Sequence, residues 1–213
     1  MKREELFDIV GREPLFTTGM LLTSGVDVRD VRKQLSRWTS DGTIVQLRRG
    51  LYALGSQRRN VQPHQYEVSN ALVLGSYVSL ETVLADHGLI PEAMFSTTAV
   101  TTGRQGSRKT PFGVFVYQHI KADLFWGYRS VAVGEGRMAF VATPEKALLD
   151  LAYLRARSDD PAFVRELRLQ HLGILDAALL RRFARRFGSA KVERFSRNVL
   201  IQAASESKEF EGA

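Results

Sequence analysis

The chain has 213 residues, 44% hydrophobic and 25% charged, an ordinary globular balance with room for one large domain or two small ones. It contains no cysteine, which excludes disulfides and thiolate metal sites and fits a reducing cytosol, so a cytoplasmic location is expected. Thirty Lys/Arg against 23 Asp/Glu leave a net charge of +7, which favours polyanionic partners. No apolar run approaches the ~18 residues of a membrane span, and no secretory signal core is expected at the N-terminus.

The positive excess is uneven. Residues 1–60 hold eleven basic against seven acidic side chains, residues 61–150 seven against eight, and residues 151–213 twelve against eight. Both ends are basic and the middle is not.

Lys2 to Gly11 predicts a first helix with Leu6, Ile9 and Val10 inward. Pro14 and Leu15 break it, and Thr17-Thr18 open a short second helix through Leu22, closed by Ser24-Gly25. The next helix carries the strongest signal. Asp27 can cap it, Asp30 sits in its first turn, and Gly42 follows its end. Val28, Val31, Leu35 and Trp38 fall at i, i+3, i+7 and i+10, on one face, which leaves Arg29, Arg32, Lys33, Ser36 and Arg37 pointing outward. About 13 residues make a rod of roughly 20 Å, long enough to lie in a DNA major groove. A tight hairpin follows, with Thr43, Val45 and Leu47 alternating before Arg48-Arg49-Gly50 and Leu51 to Leu54 returning. Two adjacent arginines at a hairpin tip repel each other, and an anionic partner explains them. Helix, helix, basic helix and β-ribbon is the order of a winged helix-turn-helix.

Gly55 to Asn60 is polar and aperiodic, and leads to Pro63. We therefore divide the chain into a winged helix-turn-helix (1–56), a linker (57–62), a second domain (63–204) and a tail (205–213). The second domain alternates helical and strand patterns: a helix over His64–Leu74, a strand at Tyr77-Val78, and a helix capped by Ser79 and ending near His87. Strands follow at Thr97–Thr102 and Gly113–His119, then a hairpin of Ser130–Val133 with Met138–Val141. Thr143-Pro144-Glu145 opens a helix that is apolar nearly all round over 147–154, and helices near Pro161–Leu172, Leu175–Phe187 and Ala190–Ala203 complete the chain. The fold class is α+β, with a mixed or antiparallel sheet and C-terminal helices.

Two further basic segments each admit two readings. Gly103 to Thr110 carries Arg104, Arg108 and Lys109 between two strands; it is either a solvated loop or a second phosphate contact, and it lacks the spacing of a P-loop. Arg181, Arg182, Arg185 and Arg186 repel one another at i, i+4 spacing on one helix, either as a solvated face or as a nucleic-acid contact. Asp150, alone in its apolar run, is expected to pair with Lys146 one turn earlier or to cap a loop rather than to catalyse. His87 and His171 sit near helix ends, and no His or carboxylate spacing suggests a metal or cofactor site. No catalytic residue is assigned. Gly75-Ser76 lacks the Asp-x-Asp that a nucleotidyltransferase would need. An RNA-acting enzyme or a protein-binding adaptor remains the rival use of the second domain.

Four segments in order, RRGLYAL, YVSLETVLADHGLIPE, TTAVTTGRQGSRKTPFGVFVYQHI and ATPEKALLDLAYL, resemble the AbiEi-type antitoxins of abortive-infection type IV toxin–antitoxin systems. The resemblance spans about residues 5–155. It implies a phage-defence regulator that represses its own operon through the winged helix and counteracts a nucleotidyltransferase-like toxin without requiring a stable complex with it. The expected partner is operator duplex DNA with inverted repeats, bound by two copies of a monomer or weak dimer. Expected DNA contacts are Thr17, Thr18, Arg29, Arg32, Lys33, Ser36, Arg37, Arg48 and Arg49. Arginine to guanine is the commonest specific pairing, so Arg32 and Arg37 are the candidate base readers.

Overall fold

Leu6 and Val10, one helical turn apart, form the buried side of α1 (Arg3–Val10), and Gly11 ends the helix at positive φ. Ile9, expected beside them, is exposed. The structure is a computed structural model that describes residues 2–22, 27–92 and 94–211. Next come a two-residue strand, β1 (Phe16–Thr17), and one 3₁₀ turn, Thr18–Leu21. This pair stands where the short second helix was expected, because the backbone of Thr18 is committed to the wing: its N–H donates to the Gly50 carbonyl at 3.1 Å. The expected closure at Ser24-Gly25 lies outside the described residues.

Helix α2 (Val28–Ser40) starts where Asp27 accepts from the Arg29 N–H at 2.6 Å, and it buries Val31, Leu35 and Trp38. Val28, in its first turn, is exposed. Strands β2 (Ile44–Arg48) and β3 (Leu51–Leu54) form the hairpin, with Gly50 at positive φ, and β1 pairs with the free side of β3. Helix, strand, turn, helix and β-ribbon make a winged helix. The chain leaves it at Gly55, where a Cβ would lie 2.2 Å from the Gly42 carbonyl oxygen, so only glycine fits this crossing.

Strand β3 is buried on both faces. Tyr52 and Leu54 join Leu6, Val10, Leu35, Trp38 and Ile44 in the core of the winged helix. Leu51, on the opposite face, joins Val68, Leu72, Ala99, Phe115 and Tyr117 of the second domain, with Leu15 and Leu47 at the margin. The linker is also strapped down: the Arg58 guanidinium lies over Phe7 at 5.6 Å and that of Arg59 over Phe112 at 4.7 Å.

The second domain runs α3 (Gln65–Leu72), β4 (Ser76–Val78), α4 (Glu81–Asp86), β5 (Ser96–Thr101), β6 (Gly106–Thr110), β7 (Gly113–His119), β8 (Tyr128–Gly134) and β9 (Arg137–Ala142). Helices α5 (Pro144–Leu154), α6 (Pro161–Glu166), α7 (Ala177–Arg186) and α8 (Ala190–Glu211) follow. The six strands form one mixed sheet in the order β6-β7-β5-β4-β9-β8, parallel at β5/β7 and β4/β9 and antiparallel elsewhere. The fold is α+β.

Alternation along β5 separates the two sheet faces. Ala99 turns to the side that carries α3 and the wing, and Val100 to the side that carries α4, α5, α7 and α8. On the first side the Tyr117 hydroxyl donates to the Ser69 carbonyl at 2.8 Å, and burial pushes its pKa up to about 12, so it stays a donor.

Three local expectations change. Ser79 does not cap α4; its hydroxyl donates to Asp150 at 2.8 Å, and Leu80 takes the cap position with φ of 62°. Residues 106–110, expected within a loop, are the edge strand β6, because pairing with β7 satisfies their backbone. Helix α8 continues to Glu211, into the stretch expected as tail.

Candidate nucleic-acid interface

Helical spacing turns Arg32 and Ser36 of α2 toward the wing, with Arg29 and Lys33 on the crest and Arg37 furthest round. All five are exposed. Opposite Arg32 and Ser36, the 3₁₀ turn supplies Thr18, and the hairpin supplies Gln46, Arg49 and Tyr52. Together these residues line a groove of about 470 Å³. Its floor is fixed by Tyr52, which stacks on Phe16 with ring centroids 5.7 Å apart and accepts from the Gln46 amide at 3.4 Å. Thr17 lies beside it on β1, exposed, while Lys33 faces Asp30 at 3.8 Å with both side chains solvated, a pairing of little energetic weight.

The two wing arginines do not act together. Gln46 pairs with Tyr52, but Arg48 pairs with Leu51, because a β-bulge shifts the register between them. The extra residue re-aims Arg48 to the Leu51 face, away from the groove. There its Nε donates to the Ala71 carbonyl of α3 at 3.0 Å, and a second nitrogen donates to the Arg49 carbonyl at 3.1 Å. Arg49 alone stays exposed at the rim of the groove. Sequence reasoning treated the arginines as one tip, since strict alternation shows no bulge. It also missed Gln46 and Tyr52, whose period-2 relation across the hairpin was the available signal.

The other basic candidates lie elsewhere. Arg108 stands opposite Phe115 in the β6/β7 ladder and so shares the wing side of the sheet; Lys109, opposite Val114, takes the other side. Arg104 is exposed in the turn before β6. Charges on an edge strand also block pairing with another chain, a sufficient structural reason for Arg108 and Lys109. Arg181, Arg182, Arg185 and Arg186 belong to α7, behind α5 on the far side of the sheet. Arg186 is partly occupied there, its guanidinium lying over Trp126 at 4.2 Å.

Asp150 is paired as expected. It is fully buried against the Lys146 ammonium and accepts from Tyr77 at 3.0 Å as well as from Ser79. The Lys146 ammonium also donates to the Tyr77 hydroxyl at 2.9 Å and lies 4.8 Å from the Trp126 ring and 4.6 Å from Phe187. Burial lowers the lysine pKa and raises that of the aspartate, each opposed by the partner's charge. This cluster has the character of a core polar network. Among the described residues, no three His, Cys, Asp or Glu side chains are grouped to hold a metal ion, and no helix is long and apolar enough to cross a membrane.

Fold and groove thus define a winged-helix protein whose second domain is packed directly against the wing. Residues 4–55 match the family model described as "Transcriptional regulator, AbiEi antitoxin". The match bears out the resemblance to AbiEi-type antitoxins over the winged helix and supports a transcriptional regulator of antitoxin type; residues beyond 55 lie outside it. Among curated proteins none matches the chain.

Proposed function

We propose that the protein is a cytoplasmic, sequence-specific DNA-binding repressor of its own operon and a type IV antitoxin against a nucleotidyltransferase-like toxin. The observation that carries this reading is the groove in which Thr18, Arg32, Ser36 and Arg49 converge from three separate elements. A basic helix beside a basic wing engages the major groove and the adjacent backbone of one duplex together. In this reading Arg32 and Ser36 meet base edges, with Arg37 as the second candidate reader. Arg29, Lys33, Thr17, Thr18 and Arg49 meet phosphates, and Arg48 seats the wing. Arg104 and Arg108 extend the phosphate contacts only if the duplex bends toward the second domain. Two copies occupy an inverted repeat.

The test is operator binding by the full chain across a salt series. About six phosphate contacts give a logarithmic salt slope of about −5. Arg49→Ala lowers affinity for operator and unrelated duplex alike and flattens the slope by about 1, whereas Arg32→Ala relaxes sequence preference. Binding that hardly changes with salt, or an Arg32→Ala/Arg49→Ala variant with unaltered affinity, would sink the groove as the site. The antitoxin half is tested by co-expression with the neighbouring reading frame. Rescue of growth without co-purification supports neutralisation without a stable complex; co-purification at fixed stoichiometry supports a direct one.

A further inference from the structure

Four arginines of the second domain are matched with acids: Arg137 with Glu67 at 2.7 Å, Arg155 with Glu81 at 2.5 Å, Arg194 with Asp159 at 2.8 Å, and Arg168 with Glu92. Helix α7 instead gathers four arginines within ten residues and carries no acid. Among the described residues Arg181, Arg182 and Arg185 make no ion pair, and neither does Arg197 on the neighbouring α8. Arg181, Arg185 and Arg197 converge with Ala184, Ser196 and Glu193 on a depression of about 250 Å³ between the two helices. Like charges gathered on one small concavity cost folding energy, and a bound polyanion offsets that cost.

Position separates this depression from the operator groove. The groove opens on the Tyr52 face of the three-stranded sheet, and the Leu51 face packs on the second domain. Beyond that contact lie the six-stranded sheet, then α5, then α7 and α8. At about 10 Å between packed layers, the two surfaces lie roughly 30 Å apart on opposite sides of the molecule. A duplex held against α2 therefore does not pass across α7.

Glu193 narrows the chemistry. A carboxylate is an acceptor only, and among phosphate-seeking arginines it is unfavourable unless the ligand also brings a hydrogen-bond donor. Among the described residues it makes no ion pair, not even with Arg197 one turn on. An RNA strand supplies both groups at one nucleotide spacing, a phosphate for the arginine forks and a 2′-hydroxyl for the carboxylate. We propose that the α7–α8 depression is an RNA-binding site, independent of the operator groove and occupied at the same time as it. Simultaneous occupancy rests on the operator reading; the RNA site itself does not, and RNA affinity measured without duplex tests it separately.

The experiment uses the full chain, a fluorescent operator duplex, a short single-stranded RNA, the DNA strand of the same sequence and a poly-glutamate peptide. The expected result is a ternary complex of chain, duplex and RNA. The RNA binds about tenfold tighter than the matching DNA strand, equivalent to ~1.4 kcal/mol. Arg181→Glu/Arg185→Glu loses RNA binding at least about tenfold with operator affinity retained, which also shows that the variant is folded; Glu193→Gln removes the preference for RNA over DNA. Four outcomes overturn the proposal: RNA and operator excluding one another, RNA affinity unchanged in the arginine variant, equal binding of RNA and DNA strands, or capture of poly-glutamate with no affinity for RNA.

Discussion

Lys146 and Asp150 show how a charged pair comes to sit in an apolar helix. Each is fully buried, and Tyr77, Ser79 and the rings of Trp126 and Phe187 complete their surroundings. Removing one member strands the other charge, so Asp150→Ala should cost about 3–5 kcal/mol. Replacing both members, as Lys146→Met/Asp150→Leu, should cost far less, since well-packed apolar groups substitute for buried pairs. Denaturant titration of both variants checks this; a double variant as unstable as the single one would refute it. Asp41 makes the opposite case at the surface. Its carboxylate accepts from the Thr43 N–H at 3.0 Å and from Arg3 at 2.6 Å, and hydrogen bonding by Thr43, then Arg3, holds its pKa below the ordinary range. A depressed folded pKa stabilises above the unfolded value and ceases to do so as pH falls through the folded one. Asp41→Asn should therefore lower Tm near pH 7, with the difference closing below about pH 4. A gap independent of pH would rule the carboxylate's charge out.

At the scale of elements, the wing is decided by one inserted residue. The bulge between Gln46 and Arg48 leaves Gln46 in the groove and sends Arg48 to Ala71 of α3. Arg48→Ala should lower stability by about 1 kcal/mol through the lost hydrogen bond and weaken DNA binding less than Arg49→Ala does. Equal effects of the two on DNA binding would return Arg48 to the interface. The same element shows what the sequence made legible. Helix α2, its Asp27 cap and its buried Val31, Leu35 and Trp38 followed from spacing alone, as did β7 and the Thr143 cap of α5. What escaped depended on distant partners. The bulge has no local signature, β6 is a strand because β7 lies beside it, and Ser79 forgoes capping because Asp150 lies within reach.

Over the whole molecule, the winged helix and the second domain share buried surface rather than a tether. Leu51 is buried among Val68, Leu72, Phe115 and Tyr117, and burying one such side chain contributes at most about 1.5–3 kcal/mol. A fragment ending at residue 56 would expose Leu15, Leu47 and Leu51 together. It should aggregate or melt well below the full chain; size-exclusion chromatography and a thermal melt would show this, and a fragment as soluble and stable as the whole would overturn it.

The two-faced burial of β3 has a consequence for how such a protein changes over generations. A reading head that hangs on a flexible thread can be exchanged for another without disturbing what it is attached to. Here each face of one four-residue strand answers to a different body of the protein. A new winged helix grafted onto this second domain would have to bring a matching Leu51 and Leu47 with it. On the proposed reading, operator specificity is therefore free to drift through the outward side chains of α2, while the strand beneath them is held in place from both sides.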